Sequence, residues 1–332
     1  MSVLVTGAAG YVGAHMMWAL TDAGEPAVAL DDLSAGSRDL VPTAAPFYET
    51  DVGDAAAVRR IIAECGVDEV IHFAGSIHVG RSIEDPLGYY DNNTANTLSL
   101  LRVCVEAGVK RFIFSSTASV YGRPDRIPIS ESAEIRSISP YGASMAMSER
   151  ILQDVAEAYG MGCVILRYFN VAGADPKGRA GQIGKPTHLV KVAAQIAVGA
   201  RRENLQIYGD DYPTPDGTAI RDYVHVGDLA EAHLLALGRL RDGDAVEGAL
   251  TLNCGYGRGY SVHEVIEAVS RVSGAPLPFE SAPRRPGDPP QLIADCAAIR
   301  AELGWRPRYD DIDFIVRTAM DWERRLTAQA AE

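Results

Sequence analysis

The chain has 332 residues, 47% of them apolar and 23% charged, with a net charge of −13 at pH 7. That length buries a full core in one large or two smaller domains, and that apolar share excludes a disordered chain. The acidic balance argues against nucleic acid or an anionic membrane as partner, so an anionic ligand would need local arginines or helix N-termini.

The five cysteines (Cys65, Cys104, Cys163, Cys254, Cys296) are scattered, with no Cys-x-x-Cys and no histidine at metal-ligand spacing. They are expected to be reduced, mostly buried thiols of a cytoplasmic protein, with no metal site. No segment reaches the ~18 apolar residues of a membrane span, and the N-terminus lacks a basic stretch followed by an apolar leader.

In chain order, Ser2–Thr6 is an apolar run ended by glycine, the signature of a buried parallel strand. A helix over Tyr11–Ala23 closes at Gly24, and a second strand over Ala27–Leu30 ends at Asp31-Asp32. Asp54 caps a helix running to Glu64, and Val70–Phe73 is a strand stopped at Gly75. A long helix over Tyr89–Ala107 ends at Gly108. Arg111–Ser116 (strand), Pro140–Tyr159 (helix) and Cys163–Phe169 (strand) follow. Alternating strands and helices indicate an α/β chain with a doubly wound, Rossmann-type parallel sheet.

After Gly173 the texture changes. Loops are expected at 174–186, at Tyr208–Arg221, and at Pro276–Pro290, and loops this long inside a compact domain are usually functional. The reading is a first domain over 1–175 and a smaller α/β substrate lobe over 176–325. A segment near 222–240, with an amphipathic helix at Asp228–Leu237, returns to the first.

Gly7-Ala8-Ala9-Gly10-Tyr11-Val12-Gly13 follows the first strand and opens the first helix. Glycines so placed give a tight turn, let backbone approach a pyrophosphate, and leave the phosphate at a helix N-terminus; Gly7, Gly10, Tyr11 and Val12 are the candidate contacts. Asp31 ends the second strand, where a carboxylate accepts ribose hydroxyls and repels a 2′-phosphate; NAD is favoured over NADP, with Arg38 the one nearby residue arguing otherwise. Asp51 and Val52 are candidates for the adenine end, with helix capping the plainer role for the aspartate.

Ser115-Ser116-Thr117 ends a strand, and ligands bind outside the carboxyl ends of such strands. Tyr141 opens the next helix behind Pro140, a good first-turn residue. Tyr121, nearby, reads as packing. Met145 lies four residues beyond Tyr141 and so shares its helix face. A cation there would favour the phenolate of a group that otherwise titrates near ~10; methionine keeps the length and removes the charge.

These segments resemble the extended short-chain dehydrogenase/reductases, and among them the UDP-glucose 4-epimerases, from about residue 2 to about 325. The marks are the Gly7–Gly13 loop, His72-Phe73-Ala74-Gly75, Tyr89-Tyr90-Asp91-Asn92-Asn93, Phe114–Gly122, Ser139–Ser144 and Leu166–Gly173. Tyr208–Gly217, Arg221–Asp228 and Arg285-Pro286-Gly287-Asp288 complete them. The resemblance implies Tyr141 as the base acting on a sugar 4-hydroxyl, Thr117 bridging sugar and phenol, and NAD kept bound. It places Phe73, Ala74, Gly75, Asn92, Tyr141 and Tyr168 around the cofactor, with Tyr168, Phe169 and Asn170 facing nicotinamide and substrate. Asn170, His188, Tyr208, Arg221, Arg285 and Asp288 fall to a UDP-sugar.

In that family a lysine stands at the position of Met145 and also holds the nicotinamide ribose. Three readings of the methionine stay open: an epimerase that ionises Tyr141 without lysine, a Lys-to-Met weakened form, and a protein that only binds NAD and a nucleotide sugar. A nucleotide-sugar dehydrogenase or dehydratase is the enzymatic rival. Ile77 stands where some members carry lysine, and Leu292 where side-chain size bears on N-acetylated sugars. The resemblance also implies a homodimer through Tyr89–Ala107 and Pro140–Tyr159.

Overall fold

A computed structural model describes residues 2–184, 188–242, 248–285 and 287–330. Pro286 and the last two residues of the expected 174–186 loop lie outside them. Seven parallel strands form the main sheet, ordered Ala249–Cys254, Gly162–Tyr168, Arg111–Thr117, Val67–His72, Ser2–Thr6, Ala27–Asp31 and Phe47–Glu49. The central strands read as unbroken apolar runs because helices cover both faces. Leu4, Ile71 and Phe112 are fully buried, each worth about 1.5–3 kcal/mol relative to exposure.

The chain winds outward in one direction from Ser2–Thr6 to Phe47–Glu49 and in the other from Val67–His72. The crevice where the winding reverses therefore opens between the ends of Ser2–Thr6 and Val67–His72, the place such sheets bind ligands. Buried hydrogen bonds tie these two strand ends together. Thr6 Oγ1 lies 2.6 Å from His72 Nδ1, and His72 Nε2 lies 2.9 Å from Thr97 Oγ1. Burial pushes His72 down to about 3, so it is neutral here.

The segment expected near 222–240 holds a helix and leads on to a strand. The helix there spans Val226–Arg241 and packs on the first helix, Tyr11–Asp22, while Ala249–Cys254 becomes an edge strand of the main sheet. The expected helix over Tyr89–Ala107 is interrupted: Pro86–Tyr89 is α-helical, Tyr90–Ala95 is a π-helical turn, and Asn96–Ala107 resumes the α-helix. The Tyr208–Arg221 segment is strand at both ends (Leu205–Tyr208 and Ile220–His225), and Phe279–Ala282 is a strand inside the proline-rich stretch. In the second lobe Ile220–His225 pairs with Asn170–Ala172, Gly259–Ser261 and Gln291–Leu292, and Leu205–Tyr208 pairs with Phe279–Ala282. Among the described residues no helix is long and apolar enough to cross a membrane, and no cluster of His, Cys, Asp and Glu could hold a metal.

Candidate active site

Gly7 turns at φ +65°, and a Cβ there would meet Ala74 N at 2.6 Å; a Cβ on Gly13 would come within 2.0 Å of Gly7 O. The loop is thus pressed against Phe73-Ala74 with no side chain between, leaving bare backbone at the N-terminus of Tyr11–Asp22, a cradle for a pyrophosphate. Asp31 is buried; its carboxylate accepts Ala9 N–H at 2.9 Å and Leu33 N–H at 2.8 Å. It shapes the loop and keeps acceptor capacity for a ribose. Burial, only partly offset by those backbone donors, raises its pKa. Arg38 is diverted from any 2′-phosphate: its guanidinium lies 4.8 Å from the Phe47 ring centroid and donates to Val41 O at 3.0 Å. These residues fit NAD.

Asp51 accepts Gly53 N–H at 2.7 Å in a turn, and Val52 is buried; the helix cap is Asp54. Asn92 Nδ2 donates to Ser76 Oγ at 2.9 Å in the loop after Gly75. Its neighbour Asn93, which the sequence reading did not single out, does more. It accepts Ser76 N–H at 2.7 Å and donates to Ser76 O and Ser144 Oγ, joining the Gly75 loop to the Tyr141 helix. The π-helical turn holds both asparagines, a local distortion often found at functional sites.

Tyr141 lies in the first turn of the 20-residue helix Pro140–Tyr159, which Ser139 caps by accepting Gly142 N–H. Gly142 allows the close approach to the Thr117 loop: a Cβ there would sit 2.5 Å from Ser119 O. Thr117 Oγ1 accepts Ser119 N–H at 3.1 Å, which leaves its own O–H to donate towards the phenol. Burial pushes Tyr141 up to about 12, and the hydrogen bond from Thr117 opposes it. Met145 is buried beside Tyr141 on the same helix, 8% exposed, and brings no charge to the phenol. The helix N-terminus contributes a partial positive charge.

Tyr168 ends the strand Gly162–Tyr168, in register with Thr117. Its hydroxyl lies 2.8 Å from His233 Nε2, in the interior. His233 Nδ1 is 2.8 Å from Leu229 O and must carry the proton, so Nε2 accepts from the tyrosine. Ser115 hydrogen-bonds the same hydroxyl, and Phe73 packs on the His233 imidazole at 4.9 Å between centroids. Beneath the site, Glu149 takes hydrogen bonds from Ser116 Oγ and from Arg167 Nε and Nη2, the last at 2.7 Å, and Arg167 Nη1 donates to Tyr121 OH at 2.9 Å. Tyr121 is thus part of a polar network in addition to packing. The network fixes the helix of Tyr141 to the strand of Thr117. A lone glutamate in a helix gave no sequence signal for it.

In the second lobe, Asn170 opens the strand Asn170–Ala172 and His188 caps the helix Leu189–Ala197, its Nδ1 2.5 Å from Gln182 Nε2. Burial lowers His188 to about 4. Arg285 stacks on the Tyr208 ring at 3.7 Å, and Arg221 Nη1 donates to Ile220 O at 2.9 Å. Asp288 N–H donates to Arg285 O at 3.3 Å, which folds the arm back on itself. Two arginines and an aspartate on adjoining segments form a locally basic arm on an acidic protein, suited to a diphosphate and a ribose.

The NAD dependent epimerase/dehydratase family model matches residues 3–255. A UDP-glucose 4-epimerase of Azospirillum brasilense is 56% identical over 325 residues, covering 98% of this chain and 92% of the relative. The crystal structure of a UDP-glucose 4-epimerase from Stenotrophomonas maltophila, with bound NAD and formylated UDP-arabinopyranose, matches with a TM-score of 0.94 at 38% identity over 99% of both chains. A Bifidobacterium longum UDP-glucose 4-epimerase in complex with NAD+ and UDP matches with a TM-score of 0.92 at 40% identity over 98% of both. With the crevice, the buried phenol and the basic arm in the arrangement described, the chain belongs to the NAD dependent epimerase/dehydratase family, in the branch that holds the UDP-glucose 4-epimerases.

Proposed function

We propose that this protein interconverts UDP-glucose and UDP-galactose by transient oxidation at the sugar C4, using NAD that stays bound. The observation that carries this reading is the Tyr141 phenol, buried at a helix N-terminus against the Thr117 hydroxyl, beside a backbone cradle that fits the cofactor. When bound, NAD supplies a hydride acceptor that returns what it takes. Tyr141, as phenolate, removes the proton of the sugar 4-hydroxyl as hydride leaves C4, and gives the proton back when hydride returns to the other face. Thr117 hydrogen-bonds the same oxygen and holds the phenol in place. Arg221, Arg285 and Asp288 hold the UDP, which leaves the sugar free to turn.

With methionine at 145, ionisation of Tyr141 leans on Thr117, the helix N-terminus and the positive nicotinamide ring. Turnover should therefore be slow near neutral pH and rise with pH. The protein acts as a homodimer. Leu98 and Met147, on the helices Asn96–Ala107 and Pro140–Tyr159, are 40% and 49% exposed, an apolar surface that a second copy would cover. All five cysteines are free thiols, which suits the reducing cytoplasm. The direct test supplies UDP-galactose to purified protein. UDP-glucose should form with no net NADH, and steady NADH release from UDP-glucose would instead identify a dehydrogenase.

A further inference from the structure

We propose that Tyr212, assigned no role so far, is a positioning residue of the UDP arm: its hydroxyl engages the Asp288 carboxylate when the nucleotide binds. This rests on the UDP-sugar reading. Tyr212 is 5% exposed, and among the described residues its hydroxyl is a buried polar atom with no hydrogen-bond partner. A buried hydroxyl left unpaired costs about 1–3 kcal/mol, so an orphan of this kind calls for a partner absent from the free protein.

The surroundings say where that partner comes from. Arg284 stacks on the Tyr212 ring at 4.3 Å and donates to Asp211 Oδ1 at 2.5 Å, just as Arg285 stacks on Tyr208. Two successive arginines thus clasp two tyrosines, one ending the strand Leu205–Tyr208 and one in the loop beyond it, and hold the arm that carries Asp288. Tyr212 itself is fixed by backbone bonds, Tyr212 N–H to Gly217 O and Thr214 N–H to Tyr212 O, both 2.8 Å. The charged groups near enough to act on the phenol are Asp288, Arg221, Arg284 and Asp211. Arg284 and Asp211 already hold each other, and a guanidinium cannot accept a proton from the hydroxyl. Asp288 is the acceptor that remains, and it lies on the segment a nucleotide would draw inward. Once the O–H is donated to one carboxylate oxygen, the other is aimed at the uridine ribose.

The test compares the holoprotein and its Tyr212→Phe variant by UDP calorimetry and by melting with and without UDP. The free variant should melt at the same or a higher temperature, because only an unsatisfied hydroxyl is lost. UDP affinity should fall about tenfold, with the Michaelis constant raised and kcat little changed. The loss should also shrink in an Asp288→Asn background, since the two residues act as one unit. Unchanged UDP affinity in Tyr212→Phe would overturn the inference, as would additive losses in the double variant. Failure of the unmodified protein to bind UDP would instead sink the substrate reading itself.

Discussion

Replacing Met145 by lysine is the most informative single change. With the Tyr141 phenol near 12, ionising it at pH 7 costs about 7 kcal/mol at ~1.36 kcal/mol per pK unit. An ammonium four residues along the helix would reach the phenol, and an opposite charge within ~4–6 Å lowers a pKa by roughly 1–3. The ionised fraction at neutral pH, and with it kcat, should rise about tenfold to a thousandfold. The sign follows from the base: activity requires the deprotonated phenol, so both proteins gain activity as pH rises. The limb of the lysine variant should lie lower on the pH axis, and the gap should close as pH approaches the pKa of the unaltered phenol. Epimerisation of UDP-galactose, followed from pH 6 to 10 by coupled oxidation of the UDP-glucose formed, reads both quantities. Identical rates and identical limbs would refute the argument that Tyr141 ionisation is limiting. A parallel titration of tyrosinate absorbance, corrected with Tyr141→Phe, would separate a shifted phenol from a changed rate-limiting step.

Glu149→Gln should destabilise the protein by about 3–5 kcal/mol, because it leaves the buried Arg167 without its counter-charge; chemical denaturation checks this, and a change below ~1 kcal/mol would show the network to be dispensable. Charging the exposed helix faces with Leu98→Glu and Met147→Glu should convert a dimer to a monomer in sedimentation. An unchanged sedimentation coefficient would remove those helices as the interface.

The turns and helix starts that frame the site were legible because their signals are local. Gly7, Gly10 and Gly13 act within one turn, Asp31 marks a strand end, and Pro140-Tyr141 opens a capped helix, so short windows of sequence suffice. What escaped depends on distant pairing. Ala249–Cys254 joins the main sheet only through register with Cys163–Tyr168, some eighty residues away in the chain. The π-helical turn at Tyr90–Ala95 reads as ordinary helix because it runs without a glycine or proline into the helix that follows. His233 likewise gave no signal of its own; its hydrogen bond with the Tyr168 hydroxyl is set by the packed helix Val226–Arg241. Arg38 shows the reverse, a sequence ambiguity removed once the structure binds it to Phe47 and Val41.

Between the main-sheet strand Gly162–Tyr168 and the second-lobe strand Asn170–Ala172 stands a single residue, Phe169, and its N–H is fastened to Cys254 O at 3.1 Å. The two halves of the molecule therefore share a spine with no slack for a jaw-like swing. Room for a sugar to pivot has to come from the rim, from the tyrosine loop and the arginine arm that faces it, while the floor under the pivot stays still. Catalysis of this kind asks the guest to turn over inside a stationary frame, and scattering profiles taken with and without UDP should superimpose.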